Sequence, residues 1–519
     1  MQQNIQSSSA FAVRRKVWPL LVFFAAAVGA LLLCSKSSPL YGFNDWSDTN
    51  WFFTVARGIW DGKIPYRDLF EQKGPVFYYW MALFAWSPTS LCGFFFAEVL
   101  AMTAFAYTGY LIFLRYLSPR LSVISGCTLL VLTVTAWSFN QGGGAVEEYL
   151  LPLFMAGFYL FLRYFEDKCL LSLSAMFGIG ILVGIVIWSK FMLAIFFFLL
   201  MLLWLYDMIF VRKEGRRAAL GMLAGTAGLA AVTLPVLLAF WVMGAWKEML
   251  TVYLYNNIFL YSGVYENAAF GGAVTLPPVL IRTAFFLLNL VVNVFLVIGL
   301  VSYWKKHGKT DRRTAVYMTL FVGAHALEMI AIGYYSYYEQ ILSVFLPLGI
   351  VPVVRFVSEK VTSKMGTARL GLRNTVLILC ALLCCLLLGN NTLELGSRDK
   401  YAQLQIADTI RQSRTQEPTL LAYKMVDRRF YRAVGVSPST RYFALNCYSR
   451  EAYPEMYEEL ERYVQNGEVE FVVVYPDVYE KDLALFGRYE KIASYEYEFY
   501  NCNLSHYPCS FYLLRLKQG

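Results

Sequence analysis

The chain has 519 residues, of which 58% are hydrophobic and only 16% are charged. Apolar windows of about 17 to 25 residues recur along most of it, which is enough to cross roughly 30 Å of hydrocarbon. This composition excludes a soluble globular protein and predicts an α-helical polytopic membrane protein. Whether the net charge of +9 indicates nucleic acid depends on where the basic residues lie.

Eleven apolar segments are predicted to span the membrane. They lie at about 17–34, 91–114, 121–139, 150–165, 170–187, 191–210, 218–243, 274–303, 315–334, 340–357 and 374–389. The first run resembles a signal peptide, but it is long and no Ala-x-Ala-like site follows, so we interpret it as an uncleaved span. The basic residues Arg14, Arg15 and Lys16 before it predict a cytoplasmic tail at 1–16.

The basic residues between the spans follow this topology. The predicted cytoplasmic segments hold 21 Lys and Arg residues, whereas the external segments before the last span hold 7. This asymmetry is what the positive-inside rule expects. The positive charge therefore sets orientation in the cell membrane and does not indicate a nucleic-acid partner.

The sequence pattern changes after about residue 389, the end of the predicted transmembrane domain (17–389), because long apolar windows give way to mixed polar and apolar segments. Segments 399–414 and 454–467 have the pattern of amphipathic helices, the second beginning at Pro454 and ending at Gly467. Three short apolar runs, TLLAY, FVVVY and FYLLRL, are typical of buried strands. Residues 390–519 are therefore predicted to form a small α/β domain, outside the cytoplasm by the parity of the spans.

The external loop at 35–90 contains the stretch NDWSDTNWFFTVARGIWDGKIPYRDLFEQKGP, residues 44–75. Residues 50–60 fit a helix lying in the membrane interface. Gly62 suits the left-handed position after that helix, and Pro65 would stop it. Asp48 is placed to cap the N-terminus of the helix, and Asp45 is placed to cap a shorter turn.

A catalytic interpretation of the loop comes from its location. Asp45 and Asp48 lie at the membrane boundary, where a buried carboxylate costs free energy unless it is paired or used. Arg57, Arg67 and Lys73 follow in the same loop. A carboxylate that accepts a proton from a hydroxyl, beside cations that hold a departing phosphate, suits transfer chemistry on a phosphate-linked lipid.

Three further polar sites lie on the predicted external face. Glu147 and Glu148 follow three glycines in NQGGGAVEEYLLP, where they could bind a metal or sugar hydroxyls or simply begin a helix. Lys190 in IWSKF either snorkels to the interface or pairs with lipid phosphate. Tyr337 belongs to YYSYYEQ, which is also typical of an interfacial aromatic belt.

The block DTNWFF…ARGIWDGKIPYRDLFEQKGP resembles the first external loop of GT-C glycosyltransferases, in particular bacterial protein-mannosyltransferase and aminoarabinose-transferase relatives. The segment GGGAVEEYLLP is similar to their Gly-Gly-x-x-x-Glu-Glu motif. The resemblance covers nearly the whole chain and implies transfer of a sugar, with inversion, from a polyprenyl-phosphate donor to a glycan, lipid or protein acceptor outside the cytoplasmic membrane.

By motif position the resemblance implies that Asp48 is the general base, with Asp45 as the alternative. Lys73 corresponds to the family's basic residue near the donor phosphate. Arg57, Arg67 and Lys190 are assigned to the same phosphate from their chemistry. Glu147 and Glu148 match the paired acidic site for acceptor or sugar, to which Tyr66 and Tyr337 are added as candidates.

The sequence departs from the family pattern in two places. Many relatives carry adjacent acidic residues in the first loop, whereas this chain has Asp-x-x-Asp. Relatives often have His-Tyr in the late external loop, whereas Tyr337 here precedes Tyr338. No cofactor is predicted with certainty, and a divalent metal is left open. The alternatives are a flippase for lipid-linked sugars, which usually has repeated halves, a polysaccharide polymerase or ligase, and a catalytically silent scaffold.

Overall fold

The computed structural model describes residues 2–260, 278–332, 335–362, 370–396, 401–413, 416–445, 448–502 and 505–517. Its first helices are α1 (Gln2–Cys34), α2 (Ser47–Trp60), α3 (Pro75–Ala82), α4 (Cys92–Phe113), α5 (Pro119–Thr135), α6 (Val146–Phe165), α7 (Leu173–Lys190), α8 (Ile195–Tyr206), α9 (Gly215–Val242) and α10 (Trp246–Met249). They are followed by α11 (Pro278–Leu288), α12 (Leu290–His307), α13 (Arg312–Ile332), α14 (Leu346–Thr362) and α15 (Leu370–Leu388).

Seven segments of the described chain are long and apolar enough to cross a membrane. They are Val17–Cys34, Cys92–Phe113, Leu173–Val211, Gly215–Val242, Leu290–His307, Arg312–Ala331 and Ser336–Lys360, and two shorter apolar helices are Pro119–Thr135 and Leu377–Leu388. Large apolar side chains on these helices face outward, for example Leu223 and Trp241, as expected of surfaces solvated by lipid. The predicted polytopic helical class is confirmed.

The predicted spans differ from the helices in detail. Each of the eleven overlaps helical structure, but the predicted segment 274–303 is divided at Asn289 into α11 and α12. Its first residues, 274–277, lie outside the described ranges. One helix continues from Gln2 to Cys34 and contains the candidate span Val17–Cys34, so the cytoplasmic tail at 1–16 stays a prediction. The number of crossings and the orientation of the termini stay predictions.

The C-terminal part contains the predicted α/β structure. Its helices are α16 (Ala402–Gln412), α17 (Phe430–Val434), α18 (Pro454–Asn466) and α19 (Pro476–Lys481), and its strands are β1 (Leu420–Ala422), β2 (Phe471–Val474), β3 (Tyr489–Cys502) and β4 (Ser505–Leu516). The sheet order is β1-β2-β4-β3, with β1 and β2 parallel and β4 antiparallel to both its neighbours. The long strand β3 was not among the predicted strands.

A proline and two glycines mark helix boundaries that the sequence predicts. Pro454 occupies the first turn of α18, and Gly467 ends that helix with φ +69°, as the sequence predicts. After α2, Gly62 takes the predicted left-handed conformation with φ +81°. Most residues of α2 are buried and the helix packs against α3 and α17, while its position in the membrane interface stays a prediction.

Candidate active site

Asp48 lies in the first turn of α2, and its Oδ2 accepts a hydrogen bond of 3.2 Å from the Tyr337 hydroxyl. Tyr337 belongs to a 3₁₀ segment, Ser336–Phe345, which packs against α6. The prediction that Asp48 caps the helix is wrong, because α2 already begins at Ser47, and the cap position is occupied by Trp46. The Asp48 carboxylate therefore contacts a residue 289 positions away rather than its own helix end.

Asp45 has a different environment from Asp48. It is 1% exposed, and its Oδ1 lies 3.2 Å from the Nζ of Lys36. The same Nζ lies 3.0 Å from Glu394, so two acidic residues share one buried lysine. This ion-pair network ties the end of α1 to the segment after α15, and it gives Asp45 a structural partner that Asp48 does not have.

The QKGP element places Lys73 beside the C-terminal end of α7. The Gly74 amide donates to the Ser189 carbonyl at 2.8 Å, and a Cβ at Gly74 would lie 2.0 Å from the Trp188 carbonyl oxygen. Only glycine permits this approach. The Nζ of Lys73 lies 3.7 Å from Oε1 of Glu71, which is 1% exposed.

Lys190 ends α7 and is itself buried, at 8% exposure. It forms an ion pair with Glu147 at the start of α6. Its Nζ also lies over the ring of Tyr338, 3.9 Å from the centroid, and 5.5 Å from that of Tyr337. Asp48 joins these residues through its hydrogen bond with Tyr337, and Lys73 joins them because the adjacent Gly74 amide donates to the carbonyl of Ser189, the neighbour of Lys190. These residues thus form one cluster built from four separate parts of the chain.

The glycines before α6 form a turn that only glycine adopts readily. Gly142, Gly143 and Gly144 have φ of +81°, +81° and +84°. The Gly144 amide donates to Oε2 of Glu148 at 2.8 Å, so this carboxylate is held by its own turn. The two adjacent glutamates therefore differ, since Glu148 is bound locally and Glu147 pairs across to α7.

Three predicted site residues lie apart from this cluster. Arg57 pairs with Asp61 at 3.1 Å, and Arg67, which is exposed, pairs with the neighbouring Asp68 at 2.9 Å. Tyr66 is fully buried, has a left-handed φ of +71°, and donates its hydroxyl to the Lys73 carbonyl at 2.7 Å. Tyr66 thus supports the backbone of Lys73 rather than presenting a surface to a ligand.

Two residues of the cluster were not singled out from the sequence. Glu71 precedes Lys73 by two positions, and burial raises the pKa of its carboxyl while the charge of Lys73 opposes that shift. Tyr338 adjoins Tyr337 and forms the closer aromatic contact with Lys190. The sequence signal for Glu71 and Tyr338 is that each lies within two positions of a predicted site residue. Among the described residues, no group of three or more His, Cys, Asp or Glu side chains is arranged to hold a metal.

The cluster combines one carboxylate held by a tyrosine with two lysines that each face a buried glutamate. Such an arrangement can accept a proton from a hydroxyl at Asp48 and bind an anionic group between Lys73 and Lys190. The buried glutamates limit the net positive charge until an anion arrives. The chemistry that fits is displacement of an anionic leaving group by a hydroxyl.

No protein-family model and no curated protein sequence matches this chain. Among solved structures, ArnT from Cupriavidus metallidurans in the apo state is similar, with a TM-score of 0.58 and 14% identity over 98% of both chains. ArnT from Cupriavidus metallidurans bound to undecaprenyl phosphate gives a TM-score of 0.56 at 14% identity, over 97% of this chain and 98% of that one.

A second similar structure is the archaeal oligosaccharyltransferase AglB from Archaeoglobus fulgidus, in complex with an inhibitory peptide and a dolichol-phosphate. Its TM-score is 0.53 at 13% identity, over 91% of this chain and 71% of that one. ArnT and AglB are GT-C membrane glycosyltransferases, so the resemblance found in the sequence is confirmed at the level of the fold. The chain has the GT-C fold, a polytopic helical membrane domain followed by a small α/β domain.

Proposed function

We propose that this protein is an integral-membrane glycosyltransferase that moves a sugar from a polyprenyl-phosphate donor to a hydroxyl-bearing acceptor. The observation that carries the proposal is the cluster of Asp48, Lys73 and Lys190, which comes together from three elements at one end of the membrane helices. ArnT and AglB, which share the fold, were solved with undecaprenyl phosphate and dolichol-phosphate, respectively, and this supports a polyprenyl-phosphate donor.

In the proposed reaction, Asp48 is the general base. Its carboxylate takes the proton of the acceptor hydroxyl as that oxygen bonds to the anomeric carbon of the sugar. The bond between the anomeric carbon and the phosphate oxygen breaks on the opposite face, so the configuration inverts. Polyprenyl phosphate leaves with the bonding electron pair, and Asp48 then releases its proton to water.

Lys73 and Lys190 are proposed to hold the departing phosphate. In the structure each lysine faces a glutamate, Glu71 and Glu147 respectively. Because burial raises the pKa of Glu71, this carboxyl is neutralised more easily than an exposed one, and protonation would leave the charge of Lys73 for the phosphate. Tyr337 is proposed as a positioning residue, since its hydroxyl fixes the Asp48 carboxylate.

The remaining assignments extend the same proposal. Glu148 and its glycine turn are proposed to shape the sugar or acceptor side of the site, next to Glu147. The distribution of basic residues supports a cytoplasmic N-terminus and a site on the external face of the cell membrane. The acceptor is proposed to be a cell-envelope glycan, lipid or protein.

The proposal is tested by sugar transfer from radiolabelled polyprenyl-phosphate sugars to a membrane and cell-wall extract, using the purified full chain in lipid. We expect Asp48→Asn to lower transfer by about 10²- to 10⁴-fold, the usual contribution of a general base. Asp61→Asn is the matched control, because Asp61 is an exposed carboxylate of the same loop, paired with Arg57.

The outcome that would contradict the proposal is also defined. If the protein consumes no donor but labelled lipid equilibrates across the bilayer, the chain is a flippase for lipid-linked sugars. If transfer occurs and survives Asp48→Asn but fails with Asp45→Asn at unchanged thermal stability, the base is Asp45 and the role given to Asp48 is wrong.

A further inference from the structure

A polar cavity lies where the C-terminal part meets the membrane domain. Its volume is about 230 Å³, and it is lined by residues 36–39 and 41–44, which follow α1, by residues 89–92, which lead into α4, and by Arg429 and Arg432. It shares no lining residue with the Asp48 cluster. The candidate span in α1 ends at Cys34 and the candidate span in α4 begins at Cys92, both next to the cavity. The cavity therefore lies at the level of the membrane surface.

The charges that line the cavity are all positive. Lys36, Arg429 and Arg432 contribute cationic groups, and no Asp or Glu is among the lining residues. The charge of Lys36 is already balanced, because it pairs with Asp45 and Glu394. The net positive charge of the cavity therefore comes from the two arginines.

Neither arginine has an acidic partner in direct contact among the described residues. Arg432, at 4% exposure, donates to the Asn44 carbonyl and to Oδ1 of Asn50, both at 3.1 Å, and to the Thr89 carbonyl at 3.5 Å. Arg429 donates to the Gly42 carbonyl at 2.9 Å, and its guanidinium lies 4.5 Å from the centre of the Phe43 ring.

Burial makes these charges costly. Burial lowers the pKa of Arg429 to about 10, although the more distant Tyr401 and Asp45 oppose this shift. Burial also lowers the pKa of Arg432. The charge of Arg429 adds to the shift at Arg432, and only Asp427 opposes it. Like charges on the buried Arg432 and the half-buried Arg429, without a contacting carboxylate in the described chain, are unfavourable unless an anion joins them.

Two donors in this region lack acceptors. Nε of Arg429 and Nδ2 of Asn44 are buried nitrogen atoms without a hydrogen-bond partner in the described parts of the chain, and Asn44 is only 1% exposed. Native proteins rarely leave buried donors unsatisfied. The N-terminus of α4, a helix of 22 residues, adds its positive dipole end beside Ser90.

We propose that this cavity is a binding site for a phosphate group, separate from the transfer site. Arginine pairs with phosphate through two parallel hydrogen bonds, and the hydroxyls of Thr89 and Ser90 supply further donors. The volume exceeds that of a single ordered water severalfold, so it accommodates a phosphate with part of the molecule that carries it. The phosphate comes from a phospholipid headgroup or from the free anion.

The test measures the melting temperature of the full-length protein in nanodiscs. One arm compares discs of phosphatidylcholine alone with discs that contain phosphatidylglycerol, and the other titrates inorganic phosphate against sodium chloride of equal ionic strength. We expect a saturable rise in melting temperature in at least one arm. Arg429→Gln should weaken it about tenfold, the equivalent of one charge-assisted hydrogen bond.

Arg450→Gln is the matched control, because Arg450 lies in the same part of the chain, is exposed and is paired with Glu461. A rise with phosphatidylglycerol alone identifies a lipid headgroup, and a rise with inorganic phosphate identifies the free anion. No specific rise in either arm, or an equal loss in Arg450→Gln and Arg429→Gln, overturns the proposal.

If Arg429→Gln does not fold, Ser90→Asp replaces it, since a carboxylate beside the arginines should raise the melting temperature without ligand and abolish the response to phosphate. A variant that melts lower and still responds to phosphate would contradict the proposal. No sugar donor enters this experiment, so its result is independent of whether the chain is a transferase.

Discussion

At the scale of single residues, buried charges bind parts of the chain that are far apart in sequence. Lys36 joins Asp45 to Glu394, and all three are at most 4% exposed. Burial raises the pKa of Glu394 to about 7, while Lys36 opposes that shift. A buried ion pair adds little to the free energy of unfolding when it is compared with well-packed apolar residues at the same positions. Removing one partner is destabilising, because the remaining charge stays buried without a counter-charge.

We expect Lys36→Met to destabilise the protein by about 3 to 5 kcal/mol at pH 8, because two carboxylates then stay buried without a cation. The loss should be smaller at pH 5, where Glu394 is protonated. The sign follows from Glu394, whose raised pKa makes it neutral at pH 5 and charged at pH 8, so that stability falls as the pH rises through about 7.

Thermal melting at both pH values checks this prediction, with Lys247→Met as the control, since Lys247 is exposed. A loss that is equal at pH 5 and pH 8 would show that the Lys36 side chain acts through packing rather than charge.

At the scale of elements, short turns set the geometry of the site. The turn at 142–144 presses against the first loop, since a Cβ at Gly144 would lie 2.5 Å from Oγ1 of Thr49 and one at Gly143 would lie 2.8 Å from Oε2 of Glu98. The turn leads directly into α6, which begins at Val146 and carries Glu147. The positions of Glu147 and Asp48 are therefore coupled through contact between this turn and α2.

Gly144→Ala should reduce transfer strongly and destabilise the protein by about 1 to 2 kcal/mol from the left-handed backbone alone, with the contact to Thr49 adding to it. In the double variant Gly144→Ala with Thr49→Ala, stability should recover only by the part of the loss that comes from the clash with the Thr49 side chain. Gly178→Ala in α7 is the control, because nothing lies within 4 Å of the position of its Cβ. Melting temperature and transfer rate are measured together, and full recovery in the double variant would refute the backbone argument.

At the scale of the whole molecule, the C-terminal part contacts the first loop from one side, while α7 and Ser336–Phe345 contact it from the other. Asp427 accepts from Thr54 of α2 at 2.7 Å and from the Phe430 amide at 3.1 Å. The Tyr448 hydroxyl donates to Oε1 of Gln72 at 2.7 Å. The α/β part is therefore a structural support of the site.

The contact through Asp427 should depend on pH. Burial raises the pKa of Asp427 to about 6, although the hydrogen bond from Thr54 opposes the shift. A raised pKa means that its contribution to stability is complete below about pH 4 and is lost as the pH rises through 6. We expect α2 amides to exchange faster at pH 7.5 than at pH 5, after correction for the intrinsic exchange rate.

Asp427→Asn should remove most of that pH dependence, because an amide keeps an acceptor for Thr54 and does not ionise. Asp408→Asn is the control, since Asp408 is an exposed residue of the same part of the chain. Hydrogen exchange followed by mass spectrometry makes the comparison, and an unchanged pH dependence in Asp427→Asn would assign it to another group.

The helices and the motif elements could be predicted from local patterns. Apolar windows indicated where apolar helices lie, Pro454 and Gly467 bounded α18, and Gly62 took its left-handed turn, since each depends on near neighbours in sequence. Strand β3 was missed because the strand predictions relied on continuous apolar runs, whereas YEYEF within β3 alternates apolar and polar residues, which is the local pattern of a half-buried strand paired here with β4. The local sequence around Asp48 favours a helix cap. It contains no signal for the contact with Tyr337, which lies far away in the chain.

The sequence by itself determined the membrane class and the α/β nature of the C-terminal part, because composition and periodicity follow the burial of side chains. Only the tertiary structure decided which charges meet. It separated Asp45, paired with Lys36, from Asp48, and it brought Lys190 to Glu147 while leaving Arg57 and Arg67 at the surface. Ion pairs and hydrogen bonds act over a few ångströms between distant parts of the chain, so their partners are fixed by packing.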